Sequence, residues 1–467
     1  MLENFLDPER RKKTSVTGRS NLEEFYSDRS RIIYSKPFRR LQRKTQVFSW
    51  EDDTAVRSRL AHTLEVADIG RLIAAKISHE MKKRNPNFSC SESIVTVVEN
   101  ACLLHDLGNP PFGHFGEAAI RDWFKKNCLE ILKEKCFSDD DRKRFENKYL
   151  PDFTSFDGNP QGFRLVTGLC WDREDHYGLN LTFPTLKAFL KYTRAPSEKE
   201  ETAIHGKKPG YFESERSVIE EIYQKEGKIK RHPLAYIMEA ADDIAYCTSD
   251  ICDGLEKKII TPSECLKNLI DTYQKKFNND FSLINIDNIK NKPFLNKSDF
   301  IYTVIVHFTR KMIYFAAKNF VENIKSIING QFKSLIPDDS EEYQVLETFK
   351  EVTRKSIYKT EEVEKIELSG YALVYKMLDY NKPLLLCEVD VFYKLLEGER
   401  VSKRELERRL VDILPSRYKK YYQHQIKNDD RIEEIFHRFH LIVDSIAGMT
   451  DDHALEIGNA YRGIEFR

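Results

Sequence analysis

The chain reads as a mainly α protein, and three observations point there. Apolar residues recur at helical spacing through 58–76, 94–107 and 234–245. Longer amphipathic patterns run through 301–328, 361–396 and 405–449. β-branched pairs such as Ile94-Val95 sit inside that periodicity, not in alternating runs. The expected architecture is a helical body with peripheral loops.

In the first helix Leu60, Leu64, Ala67, Ile69, Leu72 and Ile73 form one broad apolar face, with His62 among them. The second carries Val97, Val98, Ala101, Leu104 and Leu107 at helical offsets. It then meets Gly108-Asn109-Pro110-Pro111, which ends a helix and leaves His105 and Asp106 at its terminus. Gly113 and Gly116 predict close turns around a short following helix. The segments 138–162 and 194–212 are polar and broken by Pro and Gly, so both read as loops that border a cleft or merely cover the surface. After Arg231-His232-Pro233, the residues Leu234, Ile237, Met238, Ala241, Ile244 and Ala245 resume a helix with Asp242 and Asp243 embedded in it. Polar stretches at 288–299 and 329–342 read as helix separators.

With 40% hydrophobic residues, 29 Phe and 22 Tyr, the chain has the material for a large core. At about 150 residues per unit, 467 residues permit about three. Length alone does not divide the chain. A formal net charge of +0 excludes a globally charged polyanion binder. Local basic character begins at Arg10, Arg11, Lys12 and Lys13 and continues through Arg29, Arg31, Lys36, Arg39, Arg40, Arg43 and Lys44. Nine cysteines without paired spacing define neither a disulfide framework nor a zinc finger, Cys247 and Cys252 included. With no signal-like amino terminus and no apolar run of about 18 residues, the expectation is a soluble cytoplasmic protein without membrane contact. Neither a Walker A loop nor a Rossmann glycine fingerprint is present.

The chemistry concentrates in four dispersed groups. His62, His105, Asp106 and Asp242 are two imidazoles and two carboxylates that together suit a divalent ion with positions open for water and phosphate oxygen. Two adjacent carboxylates amid Ala, Ile and Met are costly unless exposed, protonated or paired with positive charge. The competing reading is that these are structural histidines and solvated acids. His114 and Glu117, three residues apart, share a face if helical and could orient water or move a proton; an exposed polar turn is the alternative. Arg59 stands one turn before His62 and Tyr246 one turn after Asp242, placing a guanidinium fork and a phenol near phosphate or sugar. Lys207, Lys208 and Tyr211 complete a polyphosphate pocket or belong to a charged surface loop. Gln46 offers a hydrogen bond to a sugar hydroxyl, with Phe48 and Trp50 as stacking or packing surface.

An ordered series of segments resembles the deoxyguanosine triphosphate triphosphohydrolase family of the HD-domain superfamily. It includes Asp28-Arg29-Ser30-Arg31, Phe38-Arg39-Arg40-Leu41, Lys44-Thr45-Gln46-Val47, Arg57-Ser58-Arg59-Leu60-Ala61-His62 and His105-Asp106-Leu107-Gly108-Asn109-Pro110-Pro111-Phe112-Gly113-His114. Gly158-Asn159-Pro160-Gln161-Gly162, Glu239-Ala240-Ala241-Asp242-Asp243-Ile244-Ala245-Tyr246 and Ile446-Ala447-Gly448-Met449-Thr450-Asp451 continue it. The resemblance implies the helical HD phosphohydrolase fold and a metal held by His62, His105, Asp106 and Asp242, with Asp242 preferred to Asp243. It implies catalytic roles for His114 and Glu117, and nucleotide contacts from Gln46, Arg59 and Tyr246. The reaction implied converts a dNTP, dGTP favoured, to deoxynucleoside and intact triphosphate. Mg2+ or Mn2+ is the favoured ion, with Fe2+ or another transition metal as the alternative. A homo-oligomer is implied as well, with a second dNTP or single-stranded DNA as effector. The division that the resemblance implies is a basic substrate-binding or assembly segment at 1–56, a catalytic core with inserted pocket loops at 57–255, and a helical region at 256–467 that completes the fold and the oligomer interface. The alternatives are an HD phosphodiesterase of a signalling nucleotide and a non-catalytic nucleotide- or nucleic-acid-binding protein.

Overall fold

The computed structural model describes residues 2–48, 55–170, 176–198, 206–278, 296–426 and 430–464. Trp50 and the portions 199–205 and 288–295 of the two expected connections lie outside the described residues. Among the described residues the regular structure is helical; extended pairing is limited to the isolated bridges Arg10–Thr182 and Thr45–Ser58.

The central helix pair is α2 (Arg59–Arg84) against α3 (Ser91–Leu104), with α1 (Asn21–Tyr34) on the other side of α3. Ser58 starts α2 by accepting from the Ala61 amide, and Lys82, Lys83 and Arg84 close it where the helix dipole favours cations. The buried stripe of α2 is His62, Val66, Ile69, Gly70, Ile73, Ala74 and Ile77. Leu64 and Leu72, expected on that stripe, are about half exposed. Apolarity alone placed them inward; the helix turns toward α3 and toward α8 (Ala235–Glu256) along the 62–66–69–73 row instead.

The region 138–162, expected as loop, is largely helical. Ser138 caps α5 (Asp139–Lys148) with three aspartates in its first turn, Pro151 opens a short turn of helix, and Asp157 caps α6 (Gly158–Arg164). The residues read as breakers are helix starters here. Likewise α4 (Gly113–Glu134) is a full 22 residues, not short. α7 (Phe183–Phe189) packs on α3, and α9 (Pro262–Phe277), α10 (Val306–Glu322) and α11 (Glu341–Thr353) extend the same side. The apolar core forms two clusters. One joins α1–α3 and α7–α11; the other joins α4–α5 to α12 (Glu361–Leu386), α13 (Arg431–Ala447) and α14 (Asp451–Tyr461). The loop 105–113 runs from the first cluster into the second.

Candidate metal centre and cleft

His105 caps the end of α3. Its Nδ1 lies 2.8 Å from the Cys102 carbonyl, which fixes that nitrogen as the donor and leaves Nε2 as a lone pair. Nε2 is buried and has no hydrogen-bond partner among the described residues. It lies 3.6 Å from Asp106 Oδ2 and 3.6 Å from Asp242 Oδ1, and His62 Nε2 lies 3.8 Å from the same Asp242 oxygen. Ligand atoms of His62, His105 and Asp106 all fall within 4.8 Å of one another. Lone pairs converging in this way, one of them orphaned, fit a site that would hold a cation. The donor set, two imidazoles and two carboxylates, fits a divalent metal.

The surroundings hold the two carboxylates ionised. Burial would raise the Asp106 carboxyl, but His105, Arg59 and His62 outweigh it and hold its pKa at about 2. Asp242 is likewise well below the usual range against its burial, chiefly through Lys191, whose Nζ is 3.2 Å from Oδ2. Asp243 points elsewhere, to Lys350 at 2.9 Å. Arg59 donates to Asp106 at 2.9 Å and to Gln46 at 3.4 Å, linking ligand and cleft wall. Asn109 donates from its amide to the other Asp106 oxygen at 2.5 Å.

Backbone geometry puts His114 at the mouth. Phe112 and Gly113 both take positive φ, 61° and 53°, and start α4 with His114 facing the cleft. Its Nδ1 is 3.0 Å from Glu117 Oε2, and Glu117 Oε1 accepts from the Gly158 amide at 2.8 Å. That carboxylate hydrogen bond raises the His114 pKa. Gly108 permits the approach of α6, since a Cβ there would lie 2.1 Å from both the Gly158 carbonyl and the Gly162 amide.

The cleft has a volume of about 650 Å3, within the range of about 300–1,000 Å3 that suits a small-molecule ligand. Gln46, Arg59, His62, His105, Asp106, His114, Glu117, Lys208, Asp242 and Tyr246 all line it. Lys207 and Tyr211 do not: Lys207 faces solvent, and the Tyr211 ring is fully buried in the first cluster. Phe48 is also core, beneath Lys257. Lys208 reaches the wall and pairs with Asp157 at 2.7 Å. Tyr246 shares a hydrogen bond with Tyr358, which also bonds Asp250. Sequence reasoning missed Lys191, Tyr192, Lys350 and Tyr358 as lining groups. Asn109 and Asn159 stood in quoted motifs without a role.

A family model described as HD domain matches residues 59–167. The chain is 36% identical to the deoxyguanosinetriphosphate triphosphohydrolase of Enterobacter sp. (strain 638), over 92% of each chain. It is 35% identical to the protein of that name from Klebsiella pneumoniae, over 94% of this chain and 93% of the relative. It is also 35% identical to a probable deoxyguanosinetriphosphate triphosphohydrolase of Pseudomonas aeruginosa, over 92% of this chain and 90% of the relative.

Proposed function

The chain belongs to the deoxyguanosinetriphosphate triphosphohydrolase family, and from that premise we propose that it hydrolyses a dNTP, dGTP first, to deoxynucleoside and intact triphosphate. The observation that carries the reading is the orphaned His105 Nε2 facing Asp106 and Asp242 in a nucleotide-sized cleft.

His62, His105, Asp106 and Asp242 hold the metal, which when bound supplies Lewis-acid polarisation of a phosphate oxygen. The chain's own residues do the rest. Arg59, Lys191 and Lys208 are cations of the cleft that hold a triphosphate tail, with Lys350 on the same wall. Water attacks the α phosphorus and keeps one hydrogen as the new P–OH while losing the other to solvent; the bond to the sugar 5′ oxygen breaks, His114 gives its proton to that oxygen, and solvent reprotonates the imidazole. Glu117, pinned by Gly158, favours the protonated imidazole and aims it. Gln46 and Tyr246 face the sugar. Residues 57–255 thus contribute the ligands and the acid, 1–56 contribute Gln46, and 256–467 contribute Lys350 and Tyr358 to the wall.

Mg2+ or Mn2+ is the ion we favour, since phosphate oxygens share the site; two imidazoles also admit Fe2+. We further read the protein as a cytoplasmic homo-oligomer that responds to a second dNTP or to single-stranded DNA. No helix among the described residues is long and apolar enough to cross a membrane. The test is product analysis with metal and a dNTP panel, each with and without a second nucleotide. Intact triphosphate supports the assignment. Stepwise phosphate release, or a nucleoside monophosphate product, sinks it and favours a phosphodiesterase.

A further inference from the structure

Lys44 is 4% exposed, and both hydrogen bonds of its ammonium go to main-chain carbonyls: Asn109, in the loop after the His-Asp pair, and Ala447 at 2.9 Å, at the end of α13. Its own carbonyl accepts from the Arg59 amide at 3.0 Å, at the start of α2. One residue therefore touches both groups that hold Asp106, because Asn109 donates to one Asp106 oxygen and Arg59 to the other. Next to it, Asp451 at the start of α14 accepts from the Thr45 amide at 3.0 Å and the Phe112 amide at 3.1 Å. The C-terminal helices are thereby tied to the same loop.

Burying an ammonium is expensive, and a methionine of similar length would fill the space without desolvating a charge. Core filling alone is therefore a poor explanation for a lysine here. What the ammonium adds is a fixed separation between two carbonyls, one on the ligand-bearing loop and one on α13.

We propose that Lys44 is a positioning residue for the metal centre: by holding the Asn109 carbonyl against that of Ala447, it fixes the loop whose Asn109 amide orients the Asp106 carboxylate. The inference rests on the metal-dependent reading above, because a ligand's orientation matters only if a metal binds.

The experiment uses the full chain, stripped with chelator. Mn2+ binding is followed by titration calorimetry without nucleotide, and triphosphate release is measured separately. Lys44→Met is expected to weaken Mn2+ binding and kcat by about 10–100-fold, the range for partners that orient a metal ligand, with KM nearly unchanged. Asn109→Ala, which leaves both carbonyls in place, is expected to show the same loss. The double variant should lose little beyond either single one, because the two act in series. Wild-type Mn2+ affinity in Lys44→Met, or losses that add in the double variant, overturns the proposal. Should Lys44→Met not fold, Asn109→Ala decides alone, and wild-type Mn2+ affinity there overturns it. Wild-type protein that binds Mn2+ but releases no triphosphate defeats the activity reading, while a loss of Mn2+ affinity in Lys44→Met still upholds the positioning role.

Discussion

Removing the proposed general acid separates chemistry from folding. The His114 side chain is 80% exposed at the cleft mouth, with Glu117 as its hydrogen-bond partner, so His114→Ala deletes little packing and should change stability by less than about 0.5 kcal/mol. A positioned acid contributes about 10^2–10^4-fold to rate, about 3–5 kcal/mol at 1.36 kcal/mol per decade. Loss of that size in kcat, with unchanged Mn2+ affinity and Tm, is the expected result. Glu117→Gln refines it. The amide oxygen can still accept from the Gly158 N–H, so the α4–α6 contact survives, but the charge beside the imidazole is gone. Glu117 raises the His114 pKa, so the protonated acid persists to higher pH in the wild type. Without that charge the pKa falls, and the alkaline limb of kcat/KM moves to lower pH. Steady-state triphosphate release from about pH 5.5 to 9 is the assay. An unmoved alkaline limb in Glu117→Gln, or a His114→Ala variant retaining more than about a tenth of wild-type kcat, refutes the assignment.

Three further outcomes follow from the same geometry. His105→Ala removes the orphaned lone pair at the centre of the ligand set, so calorimetry should detect no Mn2+ binding at concentrations that saturate the wild type; retained affinity removes His105 from the centre. Lys208→Ala should raise KM for dGTP by about tenfold, the cost of one phosphate cation, whereas Tyr211→Phe should leave KM unchanged because that ring faces the core; equal effects on KM would contradict the placement. Arg164, almost fully buried, pairs with Asp444 at 2.8 Å and Glu215 at 2.7 Å, so Arg164→Met strands two buried carboxylates and should cost about 3–5 kcal/mol in urea unfolding; a loss below about 1 kcal/mol would show that they find other partners.

The proposed ligands were legible for a physical reason. Imidazoles and carboxylates inside apolar helical stripes are costly, and a chain keeps them there for something positive. His62, Asp106 and Asp242 each broke an otherwise apolar pattern, and the Gly/Pro run after Asp106 marked a helix end. Lys191 and Lys350, two of the cations of the cleft, carried no such mark. Lys191 follows the buried run of α7 and Lys350 sits on α11, where a lysine reads as ordinary surface. Only the crossing of α7 and α11 over α8 brings them to Asp242 and Asp243. Tyr211 failed in the opposite direction. Its Gly-rich neighbourhood resembled a pocket loop, but an aromatic ring with about 150–250 Å2 to bury is drawn into the core wherever a loop runs close over it.

The misplaced leucines of α2 follow from the same limit. Periodicity gives the angular width of an apolar stripe but not which edge of it meets the neighbouring helix. Leu64 and Leu72 lie on the far edge, while His62 lies on the near one. The polar residue therefore marks the packed face better than the leucines do. A histidine buried at the α2–α8 contact faces Asp242 on the opposing helix at 3.8 Å, so the packed face of α2 is also the face that carries the proposed ligand. The apolar row of α2 thus carries the packing, and His62 on the same face carries the site. His62→Leu tests this: the leucine suits the apolar contact, so the fold should survive while Mn2+ binding is lost, and a variant that unfolds, or that still binds Mn2+ at wild-type affinity, refutes the division.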